Sequence, residues 1–333
     1  MGKYPKVNYI GNKQKLADWV IDKLPLDNGT VLDIFSGGNS ISYFLKERGF
    51  KVISNDALYA SFVLSKAFIE NNSITLSLNE LNEAREISIP FNIRKRYDWL
   101  ENDLFFPEEV DELVKFVVYS EKMEEYKKYL FQALIRRAMI RKLPYSRMNI
   151  NWDNIIKLRD EDYSYKKYGR KRAYHNKSFY HLMIDDFNSY NSAVFDNGKK
   201  NQSFQEDGIK IVRKIKEVDI IYVDPPYPGT MNNYEGFYGK FDRIFNKNID
   251  YLDWTKKNSF MKMLNLLLSE AKNKTRYLIL SINSNTVPSY LEVIKIFESY
   301  GNVLVYEKKH NYQVSGKINK NDNYEILIVL EYN

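Results

Sequence analysis

The sequence predicts an α/β protein: a Rossmann-like sheet that finishes in an antiparallel C-terminal hairpin and carries an inserted, mainly helical domain. Three observations lead there. A strand, a glycine-rich turn, a helix and a second strand succeed one another from residue 30 to residue 72, which is the order of a βαβ unit. The apolar run "DIIYV" at 219–223 stops abruptly on Asp224-Pro225-Pro226-Tyr227. The intervening residues 73–200 are charge-rich and helical in spacing, without strand alternation.

The elements follow in chain order. "TVLDIF" (30–35) is a short apolar strand that runs into "SGGNS", and "ISYFLKERG" (41–49) has helical spacing with a glycine stop. "KVISND" (51–56) is the second strand, and "ALYASFVLSKAFIENN" (57–72) reads as a helix that closes on two asparagines. "DELVKFVVYSEKMEEYKKYLFQALIRRAMIRKL" (111–143) represents the helical insertion. Strand signals return at "NQSFQED" (201–207), "VDIIYVDPP" (218–226), "RYLILSIN" (276–283), "VLVYEKK" (303–309) and "YEILIVLEY" (324–332). No helix fits between the last two, so they form a hairpin at a sheet edge. The expected domains are therefore 1–72 with 201–333, and the insertion 73–200.

Composition narrows the function classes. The 333 residues contain no cysteine, which removes disulfides, thiolate chemistry and cysteine zinc sites. Three widely spaced histidines (175, 181 and 310) leave no metal site to expect. No apolar run reaches the length of a membrane span. The start "MGKYPKVNYIGNKQ" has no apolar signal core, so a cytoplasmic location is expected. The net charge of +7 is local: from Lys127 to Lys177 there are 15 Lys and Arg against four acids. Tyr129, Phe131, Tyr145, Trp152, Tyr163, Tyr165, Tyr168 and Tyr174 run through the same stretch. Cations neutralise phosphates and rings stack on bases, so this mixture suits a nucleic-acid surface; a solvated lysine-rich face is the plainer alternative.

The strand ends carry the chemistry. Small residues after Asp33 let backbone approach a ligand, although the spacing is not that of a dinucleotide fingerprint and a bare tight turn would look the same. Asp56 can reach a ribose hydroxyl or cap the following helix. Asp207 can accept from an exocyclic adenine amine, with Glu206 as its competitor. Asp224 ends a strand on two prolines that cannot donate to a ladder, which leaves a rigid carboxylate at the edge where open sheets bind ligands. Such a carboxylate and the Pro225 carbonyl can take both hydrogens of an amine, with the Tyr227 ring stacked on the base. This geometry requires the base to leave its duplex.

These segments together resemble the Dam-like, alpha-group family of DNA N6-adenine methyltransferases. "YIGNKQKL" (9–16), "DIFSGGNS" (33–40), "ISND" (53–56), "NQSFQED" (201–207), "DPPY" (224–227), "LSINS" (280–284) and "KKHNYQVSGKINKNDNYEILIV" (308–329) are similar to its motifs, in its order. The resemblance covers roughly 1–72 and 201–333 and implies S-adenosylmethionine as cofactor. It implies that Tyr9, Gly11 and Lys13 lie near the methionine end of that cofactor, and that Asp33, Phe35 and Gly37 form its turn. Asp56 would bind its ribose and Asp207 its adenine. Asp224, Pro225, Pro226 and Tyr227 would hold the flipped adenine of DNA. The family turn often has glycine where this chain has Asn39, which tolerates left-handed backbone better than most residues. Residues 73–200 would then be a target-recognition domain. Its expected DNA contacts are Arg136, Arg137, Arg141, Lys142, Arg147 and the cluster Arg170-Lys171-Arg172, phosphate contacts before base contacts.

The resemblance implies a site-specific modification enzyme acting on double-stranded DNA as a monomer, with a cognate restriction endonuclease or as an unpaired methylase. The absence of cysteine excludes carbon-5 cytosine methylation, which needs a thiolate. An RNA adenine methyltransferase and a catalytically silent DNA-binding subunit are the alternatives.

Overall fold

The computed structural model describes residues 2–169, 176–310 and 323–333. Contacts divide the chain into two compact units, one comprising 11–57, 197–234 and 249–333, the other 1–10, 58–196 and 235–248.

The first unit is built on a seven-stranded sheet. Its strands are β1 (Thr30–Asp33), β2 (Lys51–Asn55), β3 (Gln202–Phe204), β4 (Val218–Val223), β5 (Thr275–Asn283), β6 (Gly301–Lys309) and β7 (Tyr324–Tyr332). The order is β3-β2-β1-β4-β5-β7-β6, with β1 to β5 parallel and β7 antiparallel to both neighbours. The expected hairpin is present, with β6 outermost. Strands covered on both faces read as continuous apolar runs, and the burial of Val31 to Asp33 and Ile220 to Val223 explains their spelling. One face is covered by the helices Gly208–Lys214, Lys257–Ala271 and Tyr290–Glu298, whose Ile209, Val212, Leu264, Leu267 and Val293 meet Leu32, Ile221 and Leu278. Strand order reverses between β1 and β4, so the crevice for a ligand lies at their C-terminal ends.

β3 is shorter than its motif and ends at Phe204, so Asp207 does not end a strand. It is the N-cap of the helix Gly208–Lys214.

The second unit is helical around Glu125–Lys142, which packs on Pro107–Lys122, Phe179–Asn191 and Tyr59–Ser65. Its membership differs from the expected insertion 73–200. Residues 58–72 and 235–248 belong to it because Asp242 accepts from the Tyr59 and Ala60 N–H groups at 2.7 and 2.9 Å, capping a helix whose own N-cap residue, Leu58, cannot. No helix among the described residues is long and apolar enough to cross a membrane.

Candidate active site

The crevice is assembled within the sheet unit from its strand ends. After β1 the chain turns through Gly37 (φ 49°) and Asn39 (φ 65°) into the helix Ser40–Glu47, so two left-handed residues let the turn fold back tightly, and asparagine serves where glycine was expected. The Gly37 N–H donates to Asp56 Oδ2 at 2.8 Å, tying the turn to the end of β2, and the N-cap position of the next helix is Leu58. Asn55, fully buried, completes the frame. Its Nδ2 donates to Ile34 O and Glu206 O, both at 3.0 Å, and its Oδ1 accepts from the Glu206 N–H. Sequence reading passed over this residue, because its amide spans segments 151 positions apart.

Beside this frame is a small cavity lined by Phe35, Asn55, Asp207, Gly208, Tyr251, Leu252 and Trp254 among others. Phe35 and Trp254 meet edge to face at 5.3 Å. A side chain on Gly208 would put Cβ 2.8 Å from the Phe35 ring, so only glycine leaves that ring in place. Asp207 lines the cavity, but its oxygens are already engaged. Oδ1 accepts from Ile209 and Lys210 N–H groups, and Oδ2 accepts from the Leu252 N–H at 2.8 Å. Its first task is thus to cap a helix and hold the loop that carries Trp254, rather than to present a free carboxylate. Tyr251, Leu252 and Trp254 had no sequence signal, since they sit in a loop without strand or helix pattern.

Two carboxyls stand at the switch point, Asp33 buried and Asp224 partly buried. Asp33 Oδ2 accepts from Ser42 Oγ at 2.6 Å, and Oδ1 meets no hydrogen-bond partner of good geometry among the described residues. Burial pushes Asp33 up to about 7 against the Ser42 hydrogen bond, with the charges of Asp224 and Asp56 adding to the rise. Asp224 follows β4 and is one-fifth exposed. Its carboxyl is likewise pushed up to about 7 by burial, opposed by Lys13 and reinforced by Glu325. Lys13 Nζ lies 3.3 Å from Asp224 Oδ1, so the lysine of the first motif stands beside the acid that follows β4. Gly11 lies two residues before it, with φ 79°.

Pro225 is buried and Pro226 half-buried. Tyr227 differs from expectation. Its ring packs in the core of the sheet unit, and its hydroxyl accepts from the Asn283 N–H at 3.0 Å. The Tyr227 carbonyl accepts from Thr230 Oγ1 and Asn232 Nδ2. Tyr227 therefore fixes the loop after β4 and offers no open ring face for stacking.

The remaining candidates lie in the helical unit. Tyr9 stacks on Tyr238 at 4.7 Å, and the Arg136 guanidinium lies 4.9 Å over the Tyr238 ring while donating to Val7 O at 2.8 Å. Arg136, Arg137 and Lys142 are buried, which corrects the expectation that they face DNA. Arg137 and Arg141 both donate to Asp186 Oδ2, at 3.0 and 2.8 Å. Lys142 pairs with Glu109 at 2.8 Å. Arg147 packs on Tyr145 and Phe237. A helix buried on all sides turns its cations inward as readily as its leucines once acids meet them. Arg170, Lys171 and Arg172 lie outside the described residues.

A sheet of this order, with a glycine-rich turn after β1 and an Asp-Pro-Pro-Tyr loop after β4, defines a methyltransferase fold. The chain belongs to the family of D12 class N6 adenine-specific DNA methyltransferases, whose pattern it matches over residues 9–296. It is thus an enzyme that methylates adenine in DNA. It is 41% identical to type II methyltransferase M2.HphI of Haemophilus parahaemolyticus, over 99% of this chain and 98% of that one. It is 28% identical to modification methylase StsI of Streptococcus sanguinis, where 98% of this chain covers 51% of the relative. Type II methyltransferase M.NlaIII of Neisseria lactamica is 23% identical, with 98% and 99% covered.

Proposed function

We propose that the crevice at the C-terminal ends of β1 and β4 binds S-adenosylmethionine and that Asp224 holds the target adenine there. The observation carrying this reading is the pair of acids Asp33, buried, and Asp224, partly buried, flanking the switch point, beside an aromatic cavity and the buried ammonium of Lys13. Burial of several acids with so little compensating charge suits a cationic ligand. Phe35 and Trp254 suit a flat ring, Asp56 suits a ribose, and the buried Asp33 carboxyl suits an ammonium.

S-adenosylmethionine, when bound, supplies an electrophilic methyl group on a sulfonium. The residues of the chain do the rest. The adenine amine is a poor nucleophile while its lone pair is conjugated with the ring. Asp224 accepts a hydrogen bond from one amine hydrogen and the Pro225 carbonyl accepts one from the other, which favours a tetrahedral nitrogen with its lone pair released; the proton that the nitrogen sheds on methylation passes to the Asp224 carboxylate and from there to water. The Pro225 ring fixes its φ and the following Pro226 restricts its ψ, so that carbonyl is placed before the substrate arrives. Tyr227, anchored on Asn283, keeps the loop in register with β5. The base reaches Asp224 by leaving its duplex.

The biological setting is proposed as the modification arm of a restriction–modification system in the cytoplasm, with a cognate endonuclease, in line with the names of the relatives. A monomer suffices, because one chain supplies every residue invoked. For DNA contacts we favour the exposed Lys157, Lys166 and Lys167 with Arg170, Lys171 and Arg172 over the buried arginines.

The test is transfer of labelled methyl from S-adenosylmethionine to unmodified DNA, with total RNA in parallel, followed by nucleoside analysis. We expect 6-methyladenine in DNA, and a loss of at least about a hundredfold in kcat for Asp224→Ala, the scale set by one preorganised hydrogen-bonding group. Undiminished turnover in that variant would overturn the role of Asp224. Label in RNA alone would overturn the choice of substrate.

A further inference from the structure

Glu325 stands near the start of β7, opposite Asn283 at the end of β5, and is fully buried. A carboxylate so placed is costly unless it is paired and hydrogen-bonded. Both conditions are met: Glu325 Oε1 accepts from Lys13 Nζ at 2.6 Å and from the Ser281 hydroxyl. The same Lys13 ammonium lies 3.3 Å from Asp224 Oδ1. One buried lysine thus joins two carboxylates that come from β4 and β7, with β5 between them. The trio lies at the strand ends that border the crevice, where packing alone has no use for buried charge.

We infer that Glu325 is a positioning residue for methyl transfer, acting through Lys13 to fix the Asp224 carboxylate. This inference rests on the proposed role of Asp224. The lysine is oriented by its shorter bond to Glu325 and holds Asp224 Oδ1, which leaves Oδ2 directed at the amine. Ser281 takes a second lone pair of Glu325 Oε1 and fixes the carboxylate against β5. A lysine anchored on one carboxylate cannot follow rotation of the other, so the side-chain angle of Asp224 is set before the base arrives.

The charged and titratable groups around the trio define its pH behaviour. Lys13 comes from the segment before the helix Ala17–Ile21, Asp33 from β1, Tyr222 and Asp224 from β4, and His310 from the end of β6, beside Lys15 and Lys308. The negative charge of Glu325 opposes ionisation of Asp224. Its removal has two separable effects: Asp224 ionises at lower pH, and Lys13 loses its anchor.

The test is E325Q, which keeps shape and removes charge. Measured are kcat, the KM for DNA, the pH dependence of kcat and the melting temperature. We expect kcat to fall at least about tenfold, as for a lost charge-assisted hydrogen bond. The KM for DNA should stay within about twofold, and the acid limb should move to lower pH. A slower enzyme that holds its activity further into acid is not what general loosening produces. An unchanged kcat, or a lower kcat with a higher KM, a lowered melting temperature and an unmoved limb, would overturn the inference. S281A removes one bond to Glu325 without stranding a charge and carries the test if E325Q does not fold. It should lower kcat about threefold at unchanged KM, less than E325Q because Glu325 keeps its charge and its bond to Lys13, and native kcat in S281A would overturn the inference. Asp224→Ala run alongside separates the two levels: if it retains turnover, the role of Asp224 fails regardless of Glu325.

Discussion

Asp33 is buried among acids, and its stability contribution follows from that. In an unfolded chain an aspartate ionises near pH 4, whereas here burial holds the carboxyl up to about 7. Between those values the folded protein keeps a proton that the unfolded chain has released, so stability falls as pH rises through this window and levels off above it. Asp33→Asn removes the titration while its amide oxygen can still accept from Ser42. Thermal melts without methyl donor from pH 4 to 8 should fall less steeply in the variant, which should melt above the native protein at pH 8. Parallel curves would mean that Asp33 is ionised throughout. The sequence was legible for position at strand ends: Asp33 closes β1, and Asp56 and Asp224 directly follow β2 and β4. It was silent where the partner is remote: Lys13 and Glu325 are 312 positions apart, and neither residue type announces the other.

Elements were legible in proportion to the regularity of their burial. β1, β2, β4, β5 and β7 are covered on both faces and stand out as apolar runs, whereas β3 has only three residues and yields no such run. The helix Glu125–Lys142 misled differently. Its arginines predict a DNA-facing row, yet the helix is buried from Leu130 to Ile140, and a count of charges does not report which way they point. Its C-terminal end is held by Glu109, which pairs with both Lys142 and Arg159. Arg159 Nη1 donates to Glu109 Oε2 at 2.8 Å. Both cations are nearly inaccessible, so Glu109→Ala leaves two buried charges without their acid. We expect a loss of about 3–5 kcal/mol, read as a lower urea midpoint followed by circular dichroism. A loss below about 1 kcal/mol would show the pair to behave like an exposed one.

For the whole molecule, charge has to be separated from accessibility before it predicts binding. The chain crosses between its two compact units repeatedly, with the helical unit taking residues 1–10 and 235–248 as well as 58–196, so a fragment cut at 73 and 200 would lack the cap from Asp242 and the Tyr238 ring beneath Arg136. The basic excess of residues 127–177 shrinks in the same way once burial is known: Arg136, Arg137, Lys142 and Arg159 are inside. In the helix Glu161–Tyr168 the acids occupy the first turn, and Lys166 and Lys167 the last. Lys157 and Lys167 lie 5.0 and 5.4 Å from the ring centre of Tyr163, which places two exposed cations around one aromatic ring. Each phosphate contact by such a cation steepens the salt dependence of DNA affinity by about 0.9 in log–log slope. Replacing Lys157, Lys166 and Lys167 together by alanine should therefore flatten that slope by about 1 to 3, measured by fluorescence anisotropy across a salt series. Arg137→Ala should leave the slope unchanged and lower the melting temperature, because it removes one of the two arginines that pair with Asp186 and a buried side chain rather than freeing a phosphate. An unchanged slope in the lysine variant would move the DNA-binding surface away from this helix, while a flattened slope in Arg137→Ala would mean that the buried row opens when DNA is bound.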